Sequence, residues 1–253
     1  MRTSFIQKII DFKIKILNSR AIRAFKEKYP NIFKFIYNRF SLEKFSGLPL
    51  SVFLLALFSN LLLLLGITNN VLEKDVTSLD GFIGKFFFDI RNRQVAKFFY
   101  IITQLCNSYV VISIAALVII YFLIKEKYLF TLGILISLFG SSITIYLSKM
   151  TFGINRPYHY SHYYENSFTY PSGHTTIVVA FYGLLFYIFG QHKSSIKKWS
   201  KLISTAFIFF VIIGISRLYL GVHYFSDIIG GYLLGSFWLL LSISFIEWRK
   251  YQR

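Results

Sequence analysis

Six apolar runs dominate the polarity pattern of the chain, at about residues 48–67, 107–124, 128–148, 174–190, 202–220 and 226–246. Each is near the length an α-helix needs to cross the hydrocarbon core of a bilayer. The pattern predicts an all-α, polytopic membrane protein with six transmembrane helices in a bundle, the run at 174–190 being the shortest. Internal glycines (Gly133, Gly140, Gly183, Gly214, Gly230, Gly231, Gly235) suit closely packed helices, and Gly231 with Gly235 forms a small-xxx-small pair that marks tight packing. Residues 68–106 are too polar to span, with Glu73, Asp75, Asp80 and Asp89 beside their cations. Phe82, Ile83, Phe86, Phe87 and Phe88 predict an interfacial helix there, either a connector with a lipid-facing side or a cover over an entrance.

The runs divide the chain into a first region, 1–47, and a membrane domain, 48–253. The first region carries 11 Lys/Arg interleaved with Phe, Ile and Leu. Phe5, Ile9, Phe12, Ile16, Ala21 and Ile22 fall roughly on one helical face, with Lys8, Lys13, Lys15, Arg20 and Arg23 around it. This is the pattern of a basic amphipathic segment on an anionic leaflet, or of a cytoplasmic tail carrying topology charges. Pro30 is expected to divide it. It lacks the apolar core and cleavage site of a signal peptide, so the first spanning helix is expected to serve as the export signal.

Composition agrees with a membrane protein: 55% of residues are hydrophobic and 15% charged, against about a quarter charged in soluble domains. The net charge of +17 comes without a basic stripe bearing base-stacking aromatics, so no nucleic-acid partner is expected. Positive loops explain the charge. With the N-terminus inside, the segments 1–47, 125–127, 191–201 and 247–253 hold 11, 2, 4 and 3 Lys/Arg, leaving 8 elsewhere. Both termini are therefore expected in the cytoplasm. Cys106, the one cysteine, lies in an apolar run and reads as a small hydrophobe.

Three polar clusters interrupt the apolar sequence: Lys149 to Pro157, Pro171 to His174, and Ser216 to Asp227. The helix order places all three at the outer end of the bundle. Ionisable groups near lipid are costly and face cavities or sites. Lys149 and Arg156, seven residues apart, would stack on a continuing helix, but Pro157 disfavours helix at Arg156 and moves it to a frayed end or loop. Ser172 is expected to N-cap the fourth spanning helix, with Gly173 admitting an anion to its N-terminus and His174 in the first turn. His223 and Asp227, four apart, share a face if the last helix starts near His223, and otherwise meet through the turn. A carboxylate on one imidazole nitrogen frees the other as a nucleophile, and Arg217 can add oxyanion charge. The loop 158–170 adds Tyr158, His159, Tyr160, His162, Tyr163, Tyr164, Glu165 and Tyr170, an aromatic belt or lip. His159 and His162 lack the partners of a metal framework, and no metal ligand is assigned.

Lys-x6-Arg-Pro, Pro-Ser-Gly-His and Ser-Arg-x5-His-x3-Asp, in this order, resemble the motifs of the type 2 phosphatidic acid phosphatase superfamily, matched at Lys149/Arg156/Pro157, Pro171–His174 and Ser216/Arg217/His223/Asp227. The resemblance implies a metal- and cofactor-free phosphatase. It gives His223 the role of nucleophile, forming a phosphohistidine, with Asp227 orienting it. It makes His174 the acid for the leaving oxygen and then the base for water. Lys149, Arg156, Arg217, Ser172 and Gly173 would hold the phosphoryl oxygens.

The expected protein is a lipid phosphatase or diphosphatase of a bacterial inner membrane, its site facing the periplasm and its partners the bilayer and a lipid phosphate. Undecaprenyl diphosphate is the first expectation for the substrate, with the lipid A 1-phosphate next, then phosphatidylglycerophosphate and phosphatidic acid. A lipid-to-lipid phosphotransferase would use the same residues, and a non-catalytic lipid-binding protein or transporter would bind without turnover.

Overall fold

The computed structural model describes residues 22, 26–30, 48–191 and 195–251, and all its regular elements among these are helical. The chain divides into two compact units, residues 1–54 and 55–253. In the first, the basic amphipathic segment or cytoplasmic tail expected over 1–47 lies outside the described residues apart from Ile22 and 26–30, and the unit ends within the first long helix. The second unit holds the polar clusters.

The helices are α1 Leu48–Leu72, α2 Thr77–Asp89, α3 Arg93–Thr103, α4 Ser108–Ile124, α5 Tyr128–Phe152, α6 Gly173–Ile177, α7 Gly183–Gly190, α8 Ile196–Tyr219 and α9 Phe225–Tyr251. A π-helical turn, Val178–Tyr182, joins α6 to α7 as one span. Among the described residues five helices are long and apolar enough to cross a membrane, or six if the α3–α4 pair is one bent span. α3 runs into α4, the run expected at 107–124, through a 3₁₀ turn, Gln104–Cys106, with a bend of 44°. Asn107 makes the break, its side chain capping α4 by accepting from the Tyr109 N–H at 3.0 Å. Residues 68–106 hold the end of α1, all of α2, where the interfacial helix is expected, and then α3 and the 3₁₀ turn.

α9 packs against α5 and the α6–α7 segment. Gly231 and Gly235 are the notch that lets α6 in. A Cβ on Gly235 would lie 2.5 Å from the Thr176 carbonyl oxygen, and one on Gly231 would lie 2.7 Å from that of Ser172. The small-xxx-small pair thus seats the helix that starts at the Pro-Ser-Gly-His cluster. The π turn leaves carbonyls out of regular register, and the buried Ser137 hydroxyl of α5 donates to one of them, Ala180, at 2.8 Å.

α2 keeps Phe82, Phe86 and Phe88 exposed, as a lipid-facing connector would, while Phe87 packs on Tyr219. Its buried face carries an unexpected function. The Asp80 carboxylate accepts from the Ser226 N–H at 2.9 Å and the Ser226 hydroxyl at 2.6 Å. It caps the start of α9 from 146 residues away. Just beyond α2, Arg91 Nε donates to the Tyr219 carbonyl at 2.8 Å, and the Asn92 N–H donates to the Tyr219 hydroxyl at 2.7 Å. The segment therefore straps the turn between α8 and α9, where the third polar cluster lies.

Candidate active site

α5 stops at Phe152 because Gly153 takes a left-handed conformation, φ +60°, and its N–H closes on the Lys149 carbonyl. The chain then leaves the helix, so Arg156 sits on the loop, as Pro157 requires, and does not stack over Lys149. The loop returns at Thr169, whose N–H donates to the Ile154 carbonyl at 2.8 Å. This places Arg156 in the interior, 5% exposed. Its Nε donates to the Ser167 carbonyl at 2.7 Å, its Nη2 to the Ser167 hydroxyl at 2.8 Å, and its Nη1 to the Val222 carbonyl at 2.7 Å. Lys149 Nζ reaches the same Ser167 hydroxyl at 3.3 Å.

The second cluster is locked to the third through the main chain: the Ser172 N–H donates to the Asp227 carbonyl at 3.1 Å. Ser172 occupies the N-cap position, but its side chain does not cap. This corrects the sequence expectation. Its carbonyl accepts from the hydroxyls of Thr175 and Thr176, and packing against Gly231 fixes the backbone. The hydroxyl is fully buried with no protein partner. Gly173 opens α6, and His174 follows in its first turn, half-buried among Lys149, Arg156 and Arg217.

In the third cluster α9 begins at Phe225, so the turn, not a shared helical face, brings His223 to Asp227. The His223 Nδ1 is 3.2 Å from Asp227 Oδ2 and 3.0 Å from the Thr169 hydroxyl. The same Asp227 oxygen accepts from the Tyr224 N–H at 2.7 Å and, in a short bond, from the Thr169 hydroxyl. On the other side of the ring, Nε2 is 3.2 Å from Arg156 Nη1. A guanidinium has only donors, so Nε2 must accept and Nδ1 must carry the proton. Burial first, then the cations Arg156, Arg217 and Lys149, hold the His223 pKa well below the usual imidazole range. The ring is neutral, with its lone pair on Nε2 turned to Arg156.

Arg217 is fully buried. Its Nη1 donates to the Tyr163 hydroxyl at 2.7 Å and its Nη2 pairs with Glu165 Oε1. Glu165 Oε2 pairs with Arg156 Nη2 at 2.6 Å. One carboxylate therefore bridges the two arginines. Burial pushes its pKa up, but Arg217 and Arg156 outweigh that and keep it below the ordinary carboxylate range.

All eight residues singled out from the sequence (Lys149, Arg156, Ser172, Gly173, His174, Arg217, His223, Asp227) belong to this one end of the bundle. Thr169 and Glu165 were not assigned. Glu165 stood out only as a lone acid in an aromatic loop, and nothing local distinguishes Thr169. His159 and His162 take no part: the former is in a 3₁₀ turn, and the latter ties the loop to the Leu220 carbonyl through its N–H.

Three donors facing one neutral, oriented imidazole suit an anion under nucleophilic attack. The buried Ser172 hydroxyl and Arg217 Nε, which have no protein partner, fit further phosphoryl oxygens.

Comparison with known proteins points the same way. The model of the PAP2 superfamily matches residues 130–251, which include every residue of the site. Phosphatidylglycerophosphatase B of Bacillus subtilis is 36% identical over 85 residues, 33% of this chain and 42% of that protein, so the match spans less than half the relative's length. A crystal structure described as the first transmembrane PAP2-type phosphatidylglycerolphosphate phosphatase from B. subtilis superposes with a TM-score of 0.69 at 26% identity, covering 75% of this chain and 94% of that one. LpxE of Aquifex aeolicus is less alike, with a TM-score of 0.46 at 21% identity over 63% of this chain and 92% of that one. Residues 130–251 thus match the PAP2 superfamily, and the chain has a fold like that of the transmembrane PAP2-type phosphatase of B. subtilis.

Proposed function

We propose that the protein is an integral-membrane lipid phosphatase working through a phosphohistidine on His223. The observation that carries this is the tautomer: Arg156 on Nε2 and Asp227 with Thr169 on Nδ1 leave a neutral ring with one defined nucleophilic nitrogen. In the first step Nε2 attacks phosphorus as the bond to the lipid oxygen breaks, and His174 gives that oxygen a proton. For that attack Arg156 Nη1 first turns from Nε2 to a phosphoryl oxygen, which frees the lone pair. In the second step His174 takes a proton from water, whose oxygen displaces His223 and releases phosphate. Lys149, Arg156, Arg217, Ser172 and the α6 N-terminus at Gly173 stabilise the phosphoryl charge in both steps. Asp227 holds the Nδ1 proton and offsets the charge on His223 once it is phosphorylated.

The excess of Lys/Arg in the segments 1–47, 125–127, 191–201 and 247–253 supports an outward-facing site, and the lipid phosphate is read as one presented on the outer side of a bacterial inner membrane. Undecaprenyl diphosphate, the first expectation, has no observation specific to it. Likeness to the B. subtilis phosphatidylglycerophosphatases favours phosphatidylglycerophosphate. Phosphate release by the purified protein over phosphatidylglycerophosphate, phosphatidic acid, undecaprenyl diphosphate and lipid A tests this. The highest kcat/KM should fall on phosphatidylglycerophosphate. A preference for the diphosphate would restore the first expectation, and lipid-linked product without free phosphate would make the protein a phosphotransferase.

A further inference from the structure

Glu165 is placed where the proposed mechanism needs a phosphoryl group. Its two oxygens take one guanidinium each, Oε2 from Arg156 and Oε1 from Arg217. Arg156 is also the residue whose Nη1 faces the His223 nucleophilic nitrogen. The carboxylate is held from the side by the Tyr163 hydroxyl, which donates to Oε1 at 3.0 Å. Both guanidiniums are buried, at 5% and 0% exposure, and unpaired charges there would be costly. Glu165 supplies to the two arginines the counter-charge that a substrate phosphoryl group would otherwise bring.

We infer that Glu165 is a specificity-determining residue, an internal anion that a terminal phosphoryl group displaces and a phosphodiester does not. The inference rests on the phosphatase reading above. Its logic is a comparison of anions. A carboxylate brings one charge and two oxygens. A phosphodiester headgroup also brings one charge and two free oxygens, so it gains nothing by exchange. A terminal phosphoryl group brings up to two charges and three free oxygens. Two of these replace the bonds to Arg156 and Arg217, and the third adds a bond to Lys149 or the Ser172 hydroxyl. A site embedded in phosphodiester lipids is thereby kept free for the rare monoester or diphosphate. The exchange also explains why Glu165 is carried on the loop 158–170, outside the helices, and remains 22% exposed at its side chain. It must leave for substrate to enter.

The test uses the purified full-length protein in detergent and the E165Q variant, which keeps the side-chain shape and removes the charge. Inhibition of phosphate release by vanadate and by added phosphatidylglycerol is measured, with KM and kcat. E165Q should bind vanadate roughly tenfold more tightly. It should lower KM more than it changes kcat, and become inhibited by phosphatidylglycerol at amounts the wild type tolerates. Inorganic phosphate should raise its melting temperature more than that of the wild type. Unchanged or weaker vanadate binding with unchanged phosphatidylglycerol tolerance overturns the inference. If E165Q does not fold even in phosphate, hydrogen exchange of the wild type decides. Vanadate must increase exchange across residues 163–167 as Glu165 is released, and protection or no change there overturns it. If the wild type releases no phosphate while E165Q still gains vanadate affinity, the phosphatase reading fails and Glu165 stands. Normal turnover with unmoved constants in E165Q does the reverse.

Discussion

The two nitrogens of His223 meet opposite partners, and the difference defines what the ring can do. Arg156 offers only protons to Nε2, while Asp227 and Thr169 receive the one on Nδ1. Thr169 relays between them: its oxygen faces Nδ1 and its proton goes to Asp227. Removing that hydroxyl leaves Asp227 Oδ2 with one charge-assisted bond fewer and the ring freer to rotate. T169V should therefore lower kcat by about ten- to a hundredfold, as loss of a bond to a charged group would, while T169S should recover most of it. Acid also acts at this residue. Burial and the three cations depress the folded-state pKa of His223, whereas the unfolded chain titrates near 6.5. Between those two values the unfolded state binds a proton that the folded state does not, so stability rises with pH there and falls on acidification below about 6.5. The contribution is up to about 1.4 kcal/mol per pH unit. Unfolding of H223A should show a shallower pH slope than wild type between pH 6.5 and the onset of carboxylate titration. An equal slope would assign the effect to other groups. The positions of His223, His174, Lys149, Arg156 and Arg217 were legible in the sequence because each stands in a polar cluster that interrupts an apolar run, while the roles proposed for them come from the resemblance. Thr169 and Glu165 were not, because their roles depend on how a loop folds back onto residues 50 to 60 positions later, which no local pattern records.

Helix packing sets the precision of this arrangement. α9 supplies Asp227 at its start and the Gly231/Gly235 notch one and two turns on, and α6 rests in that notch with Ser172 bonded to the Asp227 carbonyl. Two clusters far apart in sequence are thus one unit. A methyl group at Gly235 would collide with the Thr176 carbonyl, a backbone atom that cannot rotate away. G235A should cost about 1–3 kcal/mol of stability and lower kcat through Ser172 and His174, although it touches neither. Thermal unfolding with kinetics on the same preparation checks both. The glycine pair was readable as tight packing, and the apolar runs located the long helices. The pairing of α3 with α4 was not readable, because Arg93 and Lys97 make α3 look polar although Val95, Phe98 and Ile101 stand exposed on it. Asp80 was equally obscure. Its charge marked a segment as non-spanning, whereas burial against Ser226 makes it the cap of a helix that begins 145 positions later.

Across the whole molecule the groups proposed for catalysis come from helix ends and connecting segments in three polar clusters at one end of the helix bundle. The order of spans and the loop charges made that gathering predictable, and the hydrogen bonds from Arg156 to Val222 and from Ser172 to Asp227 realise it. The match of residues 130–251 to the PAP2 superfamily gives the fold a context, while the proposed reaction rests on His223 carrying the phosphoryl group. The direct test is rapid quenching of the purified protein during turnover of phosphatidylglycerophosphate bearing a radiolabelled terminal phosphate, followed by peptide mapping. The account predicts an acid-labile, base-stable phosphoryl group on His223, accumulating further in H174A, and neither label nor phosphate release in H223A. Phosphate release by H223A at the wild-type rate, or label on any other residue, would contradict it.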